Sequence, residues 1–357
     1  MVMRSIRLIP PVSFLILLLL LAAAAGAVPP TPGVPPVAME TADGGRNVTL
    51  TDDLGETVVI EGTPQRIISL APSNTEILYA LGLEDRVVAV TDYCDYPPET
   101  VDKPTVGGFS TVNIEKVIAM NPDLILAAPA NTEEIIDRLR SLGLTVVTLD
   151  PQAIEDVLHE IELLGRVTGN EAEASALVGE LRARIDAVAA GTGNLTERPS
   201  VAHVIWYDPL WVSGRDTFQD EVITLAGGIN AFGSLEGWSI VSLEEFITTD
   251  PDYILVSSGS GMGQEGYDAV YNYIVNEPRL QNLDAVREGR VYVIDADIVS
   301  RGGPRIVDAL EEAAAILHGE TQVPTAPKTT DAPESGGFGL IPIVSALFAV
   351  ILLWRGR

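Results

Sequence analysis

Three kinds of residue are scarce in this 357-residue chain, and each scarcity closes off a class of function. There is a single cysteine, Cys94, so no disulfide can form within the chain. The only histidines are His159, His203 and His318, widely scattered, with the first and last in helical patterns. A Cys/His metal cage and a histidine-based catalytic triad both need a clustering that is missing here, so no metal ligand, catalytic residue or cofactor is assigned. Lys and Arg number 22 against 50 Asp and Glu, a formal net charge of −28. That balance disfavours nucleic acid as a partner, because phosphate binding needs clustered cations.

Aromatic residues make up 6% of the chain, so where they gather is informative. Trp354 apart, the tryptophans are Trp206, Trp211 and Trp238, all in predicted loops or strand ends of the second half, with Tyr207 beside them. Tyr93, Tyr96 and Phe109 occupy comparable places in the first half. Ligands of open parallel sheets bind beyond the carboxyl ends of the strands. Two such halves facing one another predict an aromatic-walled cleft. Gly259-Ser260-Gly261-Met262-Gly263 follows a predicted strand, but Gln264 stands where a dinucleotide fingerprint needs glycine, and the stretch reads as a loop. Cys94, beside Tyr93, reads as packing.

What the chain has in abundance is internal likeness. Residues 112–126 (VNIEKVIAMNPDLIL) return at 241–255 (VSLEEFITTDPDYIL), an offset of 129 positions (244 − 115). In each copy Asn113 or Ser242 precedes a helical pattern, where its side-chain oxygen can accept from a first-turn N–H. Glu115 or Glu244 follows two residues later, inside the positive end of the helix dipole. Ile114, Val117 and Ile118 match Leu243, Phe246 and Ile247 at helical spacing, until Pro-Asp stops the helix and a buried strand begins. One repeat at this separation is too far apart for a solenoid, whose period is roughly 20 to 50 residues. It predicts two similar lobes.

Around that repeat, strand and helix alternate, which implies parallel sheets covered by helices. Residues 49–60, with Asp53-Leu54-Gly55 at the centre, read as a hairpin. Arg4 and Arg7 before an apolar run, then Ala25-Gly26-Ala27, predict a cleaved export signal. Residues 340–354 are apolar apart from Pro342 and Ser345 and end in Arg355 and Arg357, the pattern of a carboxyl-terminal membrane anchor. The expected divisions are a signal peptide (1–27), a linker (28–45), an amino-terminal α/β lobe (46–152), a connecting helix (153–190), a carboxyl-terminal α/β lobe (191–318), a stalk (319–337) and the anchor (338–357). Sequons at Asn47 and Asn194 are consistent with export.

Residues 66–76 (RIISLAPSNTE), 93–98 (YCDYPP), 112–126 and 300–305 (SRGGPR) resemble the substrate-binding proteins of ABC importers for cobalamin, ferric siderophores and haem, over roughly residues 47–318. The resemblance is greatest to the cobalamin branch. It implies an α/β fold of two Rossmann-like lobes joined by a long helix, a monomer outside the cytoplasm held at the membrane, and a corrinoid as ligand, with a ferric siderophore or haem as the same-fold alternative. Carried over by position, Tyr93, Phe109, Trp238, Asp297 and Arg301 fall on ligand-contacting places, with Trp206 and Trp211 near another. Phe109 replaces a tryptophan, and Ala128 stands where an aromatic is expected. The resemblance also assigns Glu115 and Glu244 to docking on arginines of the importer's permease. The chain is therefore read as a non-enzymatic carrier. The alternative from another class is an exported carboxylate-dependent hydrolase, which needs paired acids at a spacing the sequence does not display.

Overall fold

A computed structural model describes residues 39–40, 46–193, 195–258 and 269–318. The expected signal peptide, stalk, anchor, Asn194 sequon, 259–263 loop and all but two linker residues lie outside them. Among the described residues no helix is long and apolar enough to cross a membrane. The described residues all fall in one compact unit.

Among the described residues the first elements are β1 (Met39–Glu40), β2 (Asn47–Thr51) and β3 (Thr57–Glu61), an antiparallel sheet. The turn between β2 and β3 lies at the expected Asp53-Leu54-Gly55, with Gly55 at φ +82, a conformation that suits a residue without Cβ. Next come β4 (Ile67–Ser69), α1 (Pro72–Ala80), β5 (Val87–Ala89), α2 (Ile114–Ala119), β6 (Leu124–Ala127), α3 (Glu133–Ser141) and β7 (Val146–Thr148). The four strands form a sheet of order β5-β4-β6-β7, parallel throughout. Every residue of β4, β6 and β7 is buried, as strands covered on both faces require.

Residues 153–190, expected to form one connecting helix, form two, α4 (Ile154–Thr168) and α5 (Glu171–Thr192). Gly169, at φ +76, ends α4 in the left-handed conformation. The chain then folds back, bringing Arg182 of α5 onto Glu155 at the start of α4. Gly165 permits the close approach, since a Cβ there would meet the Ala174 Cβ at 2.4 Å. Arg86 secures the bend by donating to the Thr168 carbonyl at 2.7 Å.

The second half contains β8 (Ser200–Tyr207), β9 (Leu210–Ser213), α6 (Phe218–Leu225), β10 (Ile229–Asn230), β11 (Trp238–Ile240), α7 (Leu243–Thr249), β12 (Tyr253–Ser258), α8 (Ala269–Asn276), α9 (Asp284–Arg287), β13 (Val291–Asp295), α10 (Ala296–Ser300) and α11 (Ile306–His318). Its sheet runs β11-β9-β8-β12-β13, with β10 also on β8. The expected parallel alternation holds for β8, β12 and β13, but β9 and β11 are antiparallel. Arg184 of α5 fixes α11 by pairing with Glu311 at 2.6 Å and Asp308 at 2.5 Å.

The repeated stretch folds alike in both copies. Asn113 and Ser242 cap α2 and α7, accepting from Lys116 N and Glu245 N at 3.0 Å. Val117 and Phe246, at matching positions, are fully buried. Asn121 (φ 47) and Asp250 (φ 42) then turn the chain through the same left-handed conformation. Asp123 accepts from Gln65 N and Arg66 N, and Asp252 from Ser200 N, so each tethers its own strand to the start of the preceding parallel strand.

One buried acid of α4 has no compensation. Glu160 is 6% exposed and neither carboxyl oxygen accepts from an N–H donor, its carboxyl group facing that of Asp53 instead. Burial, then the neighbouring charges of Asp53, Asp150 and Asp156, push it well above the carboxylate range. Burial and Asp53 likewise lift Asp150 to about 6. Groups raised in this way contribute stability at acidic pH that is lost as pH rises through their folded values. Glu311, held low by Arg184, acts oppositely and weakens only as pH falls through and below the ordinary carboxylate range. The Tm is therefore expected to peak near pH 5 and decline toward pH 8. Glu160→Gln removes the cost of protonating this carboxyl or burying it ionised, and should gain about 1 kcal/mol or more at pH 8 while flattening the decline. A thermal melt series over pH 4–8 checks this, and an unchanged slope in the variant would contradict it.

Candidate functional site

In the first half, Tyr93 and Phe109 stack with ring centroids 4.6 Å apart and planes 9° from parallel. Gly108 makes room for this stack, since a Cβ there would lie 3.2 Å from the Tyr93 ring. Asn131, 2% exposed, donates to the carbonyls of Leu70 and Phe109 at 3.1 Å each and accepts from Ala128 N at 2.9 Å. It thereby fixes Phe109 beyond the carboxyl ends of β4 and β6, where open parallel sheets present their ligand sites. Beneath lies a buried polar patch in which Thr75 Oγ1 is within hydrogen-bond distance of Ser69 Oγ at 2.8 Å and Cys94 Sγ at 3.1 Å. Burial pushes the Cys94 thiol up despite its Thr75 and Thr91 partners, so it is a packing residue rather than a thiolate.

In the second half the three tryptophans separate. Trp206 and Trp211 pair across β8 and β9 at the ends of those strands, one of the two placements expected. Trp206 is half-buried; its indole N–H donates to the Asp208 carbonyl at 3.1 Å and its ring lies 5.0 Å from Tyr207. Tyr207 in turn stacks on Tyr273, so this group packs on the core of the second sheet. Trp211 is 8% exposed and offers little ring surface. Trp238, on the edge strand β11, is 42% exposed. Its Nε1 donates to Gln219 Oε1 at 3.2 Å, and the buried Gln219 donates to Val299 O and Ser300 Oγ at 3.0 and 3.1 Å. This orients the indole against the segment that carries Asp297 and Arg301.

Arg301 is more heavily engaged than a ligand-contacting arginine would be. Its Nη1 donates to Asp95 at 2.7 Å and Glu76 at 3.2 Å, and its Nη2 lies 2.9 Å from Asp297. Arg305 adds a two-pronged pair with Glu76 at 2.6 and 2.9 Å and lies 3.8 Å over the Tyr96 ring. Burial opposes the charged form of Arg301, but Asp95, Asp297 and Glu76 more than offset it and hold its pKa above the ordinary value. Burial pushes Asp297 up against the pull of Arg301. At 2.9 Å from a guanidinium, Asp297 is nevertheless an ion-pair partner at neutral pH. A Cβ on Gly302 would meet Pro151 at 2.6 Å, so glycine lets this segment approach the first half.

Glu76, Asp95, Arg305, Gln219 and Asn131 were not anticipated as site residues. A signal for the first and third was present. RIISLAPSNTE ends in an acid and SRGGPR carries two arginines, and these opposite charges pair across 225 and 229 positions.

Two other features bear on chemistry. His203 on β8 bonds Ser213 of β9 at 2.9 Å and Ser257 of β12 at 3.0 Å, and burial drops its pKa to about 3. A neutral, 1% exposed imidazole between two hydroxyls ties three strands together. Among the described residues no cluster of His, Cys, Asp or Glu is arranged to hold a metal ion. Glu115 and Glu244 are both exposed in the first turns of α2 and α7. Among the described residues neither makes a salt bridge.

Residues 67–298 match the periplasmic binding protein family. An uncharacterised ABC transporter substrate-binding lipoprotein of Bacillus subtilis is 34% identical over 77% of this chain and 86% of its own length. A vitamin B12-binding protein of Vibrio cholerae is 31% identical over 71% of this chain and 89% of that protein. Among solved structures, a periplasmic haem-binding protein from Roseiflexus superimposes with a TM-score of 0.64 at 27% identity, covering 73% of this chain and all of that one.

Proposed function

This chain belongs to the periplasmic binding protein family, and we propose that it captures cobalamin or a related corrinoid outside the cytoplasm and delivers it to an ABC importer. The observation that carries the ligand class is the pairing of the stacked Tyr93–Phe109 platform in one half with the exposed, hydrogen-bonded Trp238 in the other. A large flat macrocycle buries much area against such rings and prefers stacked or edge-on contact. The likeness to a vitamin B12-binding protein supports the same ligand. In this reading the two halves act as lobes that receive the corrinoid between them, Trp206 borders the site, and Asp297 and Arg301 line it. Trp211, nearly buried, backs the wall rather than touching ligand.

Delivery is assigned to Glu115 and Glu244, equivalent exposed acids on α2 and α7 that would meet permease arginines. Exposed ion pairs add little affinity singly but set orientation and encounter rate. Residues 338–357 would hold the carrier at the outer face of the membrane. Family members are transport binding proteins, so the hydrolase reading is not carried forward.

The likeness to a haem-binding protein favours a second reading, a haem or ferric-siderophore carrier of the same fold. A thermal-shift panel of cyanocobalamin, haem and a ferric siderophore separates the two. A ligand present at about 100 times its Kd stabilises the folded state by about 2.7 kcal/mol. The corrinoid is expected to raise Tm the most, by several degrees; a larger rise with haem or the siderophore would overturn the assignment.

A further inference from the structure

We propose that this site selects its ligand by charge, accepting neutral or cationic ligands and rejecting polyanionic ones, because each arginine beside its aromatic residues is already held by carboxylates of the protein. This rests on the reading of Tyr93, Phe109 and Trp238 as ligand-facing.

The stretches that carry those rings and the adjoining ion network, residues 92–110, 206–238 and 295–305, contain only four basic residues, Lys103, Arg215, Arg301 and Arg305. Lys103 is turned to the Glu84 carbonyl at 2.6 Å. Arg215, next to the turn that leads into Trp238, pairs with Glu236 at 2.8 Å and approaches Asp216 at 3.4 Å. Arg305 is paired through two nitrogens with Glu76, and Arg301 with Glu76, Asp95 and Asp297. In this last cluster three carboxylates face two guanidiniums, leaving a formal excess of negative charge.

A planar guanidinium recognises a carboxylate or catecholate by presenting unused N–H donors in a fork. Here both Nη1 bonds and one Nη2 bond of Arg301 are committed, and its side chain is 13% exposed. An anionic group reaching it would have to displace a protein carboxylate and leave that charge unpaired in a partly dry site. Asp95 is the partner open to displacement, since its side chain is 48% exposed while those of Glu76 and Asp297 are 2% and 13% exposed. Asp95 thus acts as a gatekeeper that discourages anions without contributing to the stacking surface.

The test uses the full-length chain and four probes: neutral cyanocobalamin, a cationic ferric trihydroxamate, a trianionic ferric tricatecholate, and haem with its two carboxylates. Affinities are measured for the wild type and for Asp95→Asn, whose exposed position leaves folding intact, as a thermal melt verifies. The wild type is expected to bind the tricatecholate and haem at least about tenfold more weakly than the neutral or cationic probes. Asp95→Asn should narrow that gap several-fold, and the gain should shrink in high salt. Wild type that binds an anionic probe as tightly as a neutral one overturns the proposal, as does a variant with unchanged discrimination. Failure of cyanocobalamin alone to bind refutes the corrinoid assignment instead, because the trihydroxamate and tricatecholate pair still reads the charge preference. A chain that binds none of the four in either form overturns both.

Discussion

Glu76→Ala should destabilise the protein by about 3 to 5 kcal/mol, the usual cost of removing one partner from a buried ion network. Glu76 is 3% exposed on α1 and accepts from Arg301 and from both Nε and Nη2 of Arg305. Its removal leaves two arginines with Asp95 and Asp297 as their nearest carboxylates, and Arg305 keeps only its position over Tyr96. Because these bonds join α1 to the segment after α10, the loss leaves Asp95 as the remaining carboxylate that ties that segment to the first half. Glu76→Gln keeps an acceptor without the charge and should lose about half as much. Urea denaturation at pH 7 measures both. A loss under about 1 kcal/mol for the alanine variant would mean that the network contributes no net stability.

Glu115→Arg combined with Glu244→Arg should reduce uptake of ligand by cells to background while leaving binding by the purified protein unchanged. The two acids occupy the same position in two copies of one structural unit. Both are exposed and neither is in a salt bridge among the described residues, so the stability their charge supplies is limited to the helix-dipole contribution of about 0.3 to 1 kcal/mol. Reversing both converts two attractive contacts with permease arginines into two repulsive ones, and such juxtapositions each cost several kcal/mol. Single reversals should give intermediate uptake. Normal uptake by the double variant, or loss of binding by it, would contradict the docking role.

The repeated unit was legible in the sequence because its signals are local. A capping Asn or Ser, buried apolar positions at helical spacing and a Pro-Asp pair each act within a few residues, and Asp123 and Asp252 then do the same work in both halves. The hairpin at 49–60 was legible for the same reason, through Asp53-Leu54-Gly55. The fold-back of α4 and α5 was not. Gly165 to Asn170 marks an interruption, but the reversal is imposed by contacts with Ala174 and Arg86 that lie elsewhere in the chain. Strands as short as β9 and β11 carry too few residues for a period-2 pattern to register and exist through their partners. That pairing is what holds Trp206 and Trp211 at strand ends. The site divides in the same way. Aromatic residues drew attention by type, whereas Glu76 gains its role from residues more than two hundred positions away, a relation with no local signature.

Calorimetric titration of the full-length chain with cyanocobalamin, set beside the same titration of Tyr93→Ala and Trp238→Ala, tests most directly whether a corrinoid is held by rings from both halves. The account predicts one molecule bound per chain and a loss of at least about tenfold in affinity for each variant, as expected for buried aromatic anchors. Absence of binding by the wild type, or full affinity in either variant, would contradict it.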